Sequence, residues 1–305
     1  MLVAVLVAAL CLLLPDIIFQ NKLFLVPDAI APLNFAVAGE KELAAGSYPL
    51  WNPYIFCGMP SYASLAFIPY VYPPSFITYA LQQYLRFPEM TWLLVHYLLA
   101  GVGMYLVARA LGCRAAVSIA AGLLFMILPN YVAMGANGHG SQAASIAYMP
   151  FALLLSWRVM SGTGRLAPAG LLAIVLGFQM LRGHVQIAYY TYLVIGLLVL
   201  FEAAAHLRAR DAAGLAKSVG LLAASFAAAI GIAAVLIVPV REYAAHSIRG
   251  GGAGGGLDYA YATGWSLHPR EMLTFVFAWA SGFGKATYWG SMPFTDYPNY
   301  IGVVP

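Results

Sequence analysis

Charge is scarce in this sequence. Lys, Arg, Asp and Glu make up 9% of its 305 residues, against roughly 25% in soluble domains. A soluble chain of this length needs a charged surface, so that class is excluded. Cysteine is scarce as well: Cys11 lies in an apolar run, Cys113 in a basic turn, and Cys57 in a long segment of mixed character. No two share an oxidising compartment, so no disulfide is predicted. Several catalytic signatures are missing, namely a Walker loop, a Gly-x-Ser-x-Gly elbow and a kinase set, and "GGAGGG" follows no strand. The net charge of +4 comes without a basic stripe interleaved with aromatics, which argues against a nucleic-acid partner. No Cys or His cluster has zinc spacing, and no ligand cluster supports a divalent metal or another cofactor.

What the sequence has in abundance is apolar surface, with 62% hydrophobic residues. Seven apolar runs lie at 2–19, 91–111, 115–134, 143–160, 167–182, 185–206 and 217–238. Crossing the hydrocarbon core as a helix takes about 20 residues, and no run alternates with the period of a barrel strand. The fold class predicted is an all-α polytopic membrane protein. The fifth run is short, and its border with the sixth falls at Arg182-Gly183-His184. The first run lacks the basic n-region and small-residue cleavage site of a signal peptide and carries Asp16, so it reads as a retained helix.

Basic residues flank three tight turns: Arg109 with Arg114, Arg158 with Arg165, and Arg208 and Arg210 with Lys217. The positive-inside rule puts these turns and the N-terminus in the cytoplasm. Segments 20–90 and 239–305 are then extracytoplasmic. Residues 1–240 form the helix bundle with its large first outer loop, 20–90. Residues 241–305 form an outer segment leading to further spans, as expected of an N-terminal portion of a longer protein. Spacing over 33–45 is helical, "PLWNPYIFCGMP" at 49–60 breaks regular structure, and the Tyr- and Phe-rich 62–87 suits a re-entrant or interfacial segment. "RGGGAGGG" at 249–256 suits a mobile connector or plain linker, and 269–280 predicts a short amphipathic helix.

The polar residues that stand out lie on the expected outer side. Asp28 follows Pro27 where the first run leaves the membrane; it is placed to act as a general base, or to cap a helix or turn. His139 and His184 are placed to donate to a phosphate or hydroxyl, or else serve as loop polarity and a buried structural bond, respectively. Arg182 forms a compact patch with His184 and Gln186, and a guanidinium suits phosphate. Arg241 and Arg249 repeat the theme, although Arg241 with Glu242 also suits a helix-end anchor.

Five stretches carry a resemblance: "YPLWNPYIFCGMPSYAS", "GHVQIAYYTY", "SIRGGG", "GLDYAYATGWSLHPREMLTFVF" and "YWGSMPFTDYPNYIGVVP". In this order they resemble the YfhO-like bacterial membrane proteins, placed in the GT-C superfamily of polytopic glycosyltransferases. The resemblance implies a GT-C-like bundle in the bacterial cytoplasmic membrane, a polyprenyl-phosphate sugar donor, and an acidic catalytic residue early in the first outer loop, here Asp28. It implies that Trp51 and Asn52, in that loop, line the substrate site, and that an envelope polymer, glycolipid or protein is the acceptor. An enzyme that loads the lipid carrier is an expected partner. The Asp-x-Asp pair of some related enzymes is absent beside Asp28. Two other functions fit the composition: a transporter or flippase for an envelope lipid or polymer, and an assembly subunit without catalysis. A transporter needs ionisable sites near the bilayer midplane.

Overall fold

The computed structural model describes residues 1–162, 166–247, 258–282, 287–293, 299 and 300. Helix dominates. The first apolar run is two helices, α1 (Leu2–Leu13) and α2 (Pro15–Gln20), because Pro15 has no N–H to continue a helix but suits the first position of a new one. The helical spacing predicted over 33–45 belongs to a longer α3 (Pro27–Ala44), which likewise starts on a proline. The stretch 49–60 closes a small hairpin, β1 (Trp51–Asn52) pairing antiparallel with β2 (Met59–Pro60). Within the Tyr- and Phe-rich segment lies α4 (Pro74–Leu85).

Then follow α5 (Thr91–Ala110), α6 (Ala115–Met126), α7 (Pro129–Ala136), α8 (Gly140–Ile146), α9 (Met149–Ser161), α10 (Leu166–Leu181), α11 (Val185–Arg208), α12 (Ala212–Ala244) and α13 (Tyr259–Thr263). The amphipathic helix predicted over 269–280 is instead a 3-10 segment, Pro269–Phe275. Its pattern is inverted: Glu271 and Thr274 are buried while Met272, Leu273 and Phe277 are exposed. The Gly-rich stretch 249–256 lies outside the described residues.

Among the described residues, five helical stretches are long and apolar enough to cross a membrane: Thr91–Ala110, Ala115–Ala136, Gly140–Ser161, Val185–Arg208 and Ala212–Ala244. The apolar runs predict seven. The other two apolar helices, α1 and α10, have 12 and 16 residues, short of the roughly 20 that a 30 Å core requires. The chain is thus an all-α protein with the apolar helices of a membrane protein.

The chain divides into two compact units. One comprises 1–23, 69–126 and 140–237; the other comprises 24–68, 127–139 and 238–305. In the first, α9, α10, α11 and α12 share a core that includes Leu155, Val159, Leu172, Leu176, Ile195, Leu222 and Ala229. Helices approach closely where small residues allow it, as expected where van der Waals packing drives association. Gly101 of α5 faces Gly122 of α6, and Gly177 of α10 seats Ile232 of α12. A polar bond crosses the same core: the buried Gln179 donates from Nε2 to the Ser145 carbonyl (3.0 Å) and to Thr191 Oγ1 (2.8 Å). In the second unit, Phe67 packs on α3 at Gly39, where a Cβ would collide with the ring.

Candidate functional site

The chain ends α10 at Leu181 and starts α11 at Val185, so the border read at 182–184 is a real turn. Gly183 takes φ +71° there, a left-handed conformation that glycine adopts without cost. His184 caps α11, its Nδ1 accepting from the Ile187 N–H at 3.3 Å. His184 thus makes a helix-capping bond at a half-buried position.

Arg182 projects from this turn over an aromatic face. Its Cζ lies 4.8 Å from the centroid of the Tyr72 ring, within cation–π range. Its Nε is buried with no hydrogen-bond partner among the described residues. Burial pulls the guanidinium below its ordinary pKa, opposed by Tyr72 and Tyr148, yet an arginine stays protonated in a protein. The result is a half-buried cation whose buried Nε is an unused donor.

A chain of hydrogen bonds runs beneath it. His96 Nδ1 lies 2.5 Å from the Trp92 carbonyl oxygen, which only accepts. A neutral imidazole therefore carries its proton on Nδ1 and accepts at Nε2. The Tyr72 hydroxyl, 2.8 Å from Nε2, donates to it, and the Tyr148 hydroxyl donates to Tyr72. Burial, with Tyr148 beside it, raises the Tyr72 phenol well above its ordinary value, so Tyr72 stays a neutral hydroxyl. A cavity of about 500 Å³ opens beside this cluster, lined by Tyr70, Phe76, Tyr79 and Trp92, by the polar Ser75, Thr78 and Gln82, and by Tyr72, His96 and Arg182. That is the size and character of a small-molecule site: mostly apolar, with few polar groups.

The second unit holds a different pair. Asp28 lies in the first turn of α3, near the positive end of the helix dipole. Its Oδ2 is 3.4 Å from His139 Nε2, and the two side chains are 64% and 40% exposed. Gly138 makes this approach possible: at φ +87°, a Cβ there would lie 2.5 Å from the backbone of Asp28 and Ala29. The α3 N-cap is Val26, with no side-chain bond, so Asp28 does not serve as the cap. A solvent-facing carboxylate beside an imidazole can accept a proton and share its charge.

The remaining predicted residues are placed as follows. Trp51 is half-exposed on β1, and Gly58 lies so close that a Cβ would meet its indole at 2.8 Å. Asn52 is buried, and its Oδ1 accepts from the Tyr54 N–H at 2.9 Å, which holds the hairpin. Its Nδ2 is buried with no hydrogen-bond partner among the described residues. Arg241 is exposed in the last turn of α12, next to Glu242. Arg249 lies outside the described residues. Asp28, His139, Trp51, Asn52 and Arg241 belong to one unit, and Arg182 and His184 to the other.

Sequence reasoning passed over Tyr72, His96 and Tyr148. A signal existed for one of them: His96 interrupts the apolar run "TWLLVHYLLAG", and an ionisable group inside a span is a functional hypothesis by default. It also passed over Glu271, which is 5% exposed. Glu271 accepts from Tyr288 Oη (2.7 Å), the Ser291 N–H (2.8 Å) and Ser291 Oγ (2.6 Å) at the edge of a second cavity of about 750 Å³. Among the described residues no three His, Cys, Asp or Glu side chains gather as a metal site. No family model, no curated protein and no solved structure matches the chain.

Proposed function

We propose that the protein is a membrane glycosyltransferase that moves a sugar from a polyprenyl-phosphate donor to an envelope acceptor on the outer face of the cytoplasmic membrane. The observation that carries this reading is the Arg182 guanidinium, a half-buried cation whose buried Nε donor is unused, beside a cavity lined by aromatic rings. A phosphate leaving group needs cationic donors preorganised where its charge develops, and an arginine supplies them. The apolar helices suit a donor that arrives through the bilayer.

Asp28 is the general base of this reaction. Its carboxylate takes the proton of the acceptor hydroxyl as that oxygen bonds to the anomeric carbon; the bond from that carbon to the phosphate oxygen breaks, and the lipid phosphate leaves with the electron pair. His139, 3.4 Å away, orients the carboxylate. A positioned base contributes about 10²–10⁴-fold to such a step.

One observation favours a second reading. His96 is buried within α5, an ionisable side chain inside an apolar helix of spanning length, and such groups mark transport paths. Replacing Asp28 separates the two. Asp28→Asn keeps the shape and removes the base, so the full-length gene carrying it, returned to its deletion strain at matched protein level, should lose an envelope sugar by mass spectrometry. Unchanged glycans would remove Asp28 from the mechanism and leave the transport reading in its place.

A further inference from the structure

The hydrogen-bond chain below Arg182 is more than Tyr72 needs for its own satisfaction. A buried phenol requires one partner; this one has two, at opposite ends of a relay that crosses from the bend before α4 to α5 and α9. Starting from the Trp92 carbonyl, each donor in the relay is committed: the His96 Nδ1–H to Trp92, the Tyr72 O–H to His96, the Tyr148 O–H to Tyr72. The Tyr72 ring is further boxed by Phe178, whose centroid is 6.0 Å away at an interplanar angle of 76°. Two hydrogen bonds fix the ring's far end and Phe178 its flank. What this rigid ring holds is the guanidinium, and the guanidinium has no other described hydrogen-bond partner at Nε.

We propose that Tyr148, Tyr72 and His96 are positioning residues that hold Arg182 as a preorganised receptor for a phosphate ester, whose attached group lies against Tyr70, Phe76, Tyr79 and Trp92. This rests on the reading that Arg182 meets phosphate. The donors of the relay, and those of Ser75, Thr78 and Gln82 in the same lining, are committed to described acceptors, so the charged donors left to an incoming oxyanion are the N–H groups of Arg182. Arginine suits this role because its planar group stacks on the ring through one face and presents its edge donors to oxygen. Holding those donors before binding spares the ligand the cost of ordering them. The aromatic wall accepts an isoprenoid chain or a sugar ring by area burial, and it discriminates little between them.

Calorimetric titration of the full chain in maltoside detergent, which carries no phosphate, tests this with three probes: farnesyl phosphate, farnesol and inorganic phosphate. Wild type should bind farnesyl phosphate at least about tenfold more tightly than farnesol, the discrimination expected of a charge-assisted bond. Arg182→Gln should bring that ratio to about one. Tyr72→Phe, which keeps the ring and deletes both hydrogen bonds, and the milder Tyr148→Phe should each lower the ratio about threefold or more with farnesol affinity unchanged; the lost buried bonds lower the unfolding midpoint as well, so the ratio is the readout. A merely structural role would lower both affinities together and leave their ratio unchanged, and that result would overturn the proposal.

The arms separate the two levels of inference. Equal binding of farnesyl phosphate and farnesol by wild type overturns the phosphate reading of Arg182 itself. A ratio lost in Arg182→Gln but intact in both tyrosine variants leaves that reading standing and overturns the positioning role. Inorganic phosphate binding as tightly as farnesyl phosphate would overturn the part given to the aromatic wall.

Discussion

At the scale of single residues, Glu271 shows how a buried carboxylate is kept charged. Burial pushes its pKa up, but bonds from Ser291 Oγ, the Ser291 N–H and Tyr288, with His268 nearby, outweigh burial and hold it below the usual carboxylate range. Gly290 is required beside it, since a Cβ there would collide with Oε2. A depressed folded pKa contributes stability above the unfolded value of about 4.3, and that contribution is lost as pH falls through the folded value. Glu271→Gln turns an acceptor into a donor facing other donors and should weaken the 288–292 segment by about 1.5–3 kcal/mol at neutral pH. Hydrogen exchange at the Ser291 and Met292 amides, corrected for intrinsic rates, checks both points. Protection should fall in the variant at pH 7 and in wild type below about pH 4; equal protection at pH 7 would show that the carboxylate does not hold this segment. Legibility at this scale followed locality. Arg182 stood out because a charge at the end of an apolar run is visible in the sequence, whereas Tyr72 and Tyr148, 76 residues apart, meet only through the fold.

At the scale of elements, the apolar runs located the long helices, because a run with few charges has no other way to satisfy its backbone in lipid. Their ends were less legible where proline chemistry intervened: Pro15 split the first run, and Pro27 started α3 well before the periodic stretch. The close approach of α5 and α6 was hidden, since one glycine in each helix looks unremarkable until the two face each other. A Cβ on Gly122 would lie 2.5 Å from the Gly101 carbonyl oxygen, and neither backbone can swing aside. Gly122→Ala should therefore cost about 1–3 kcal/mol through overpacking, despite the better helix propensity of alanine. Gly170→Ala in α10 is the control. An added Cβ there meets nothing within 4 Å, so it should be neutral or stabilise by up to about 1 kcal/mol. Thermal unfolding midpoints in detergent read the difference, and equal midpoints would mean that α5 and α6 part without cost.

At the scale of the whole molecule, the native cysteines can report which side of the membrane each loop faces. Cys57 is exposed in the loop between β1 and β2; Cys113 is half-buried between Arg109 and Arg114, its carbonyl accepting from Arg109 Nη1 at 2.7 Å. Basic turns stay cytoplasmic because moving them across the bilayer is disfavoured. That rule predicts Cys113 inside and Cys57 outside. A membrane-impermeant maleimide applied to intact spheroplasts should modify Cys57 and spare Cys113, which should react only once the membrane is permeabilised. Peptide mass spectrometry assigns each label, and the permeabilised sample sets the full extent for the less accessible thiol. The reverse pattern would turn the molecule over. Asp28 lies in the same extended segment as Cys57, between α2 and α5, so inversion would carry it to the cytoplasmic side and end its candidacy as the base of a transfer on the outer face.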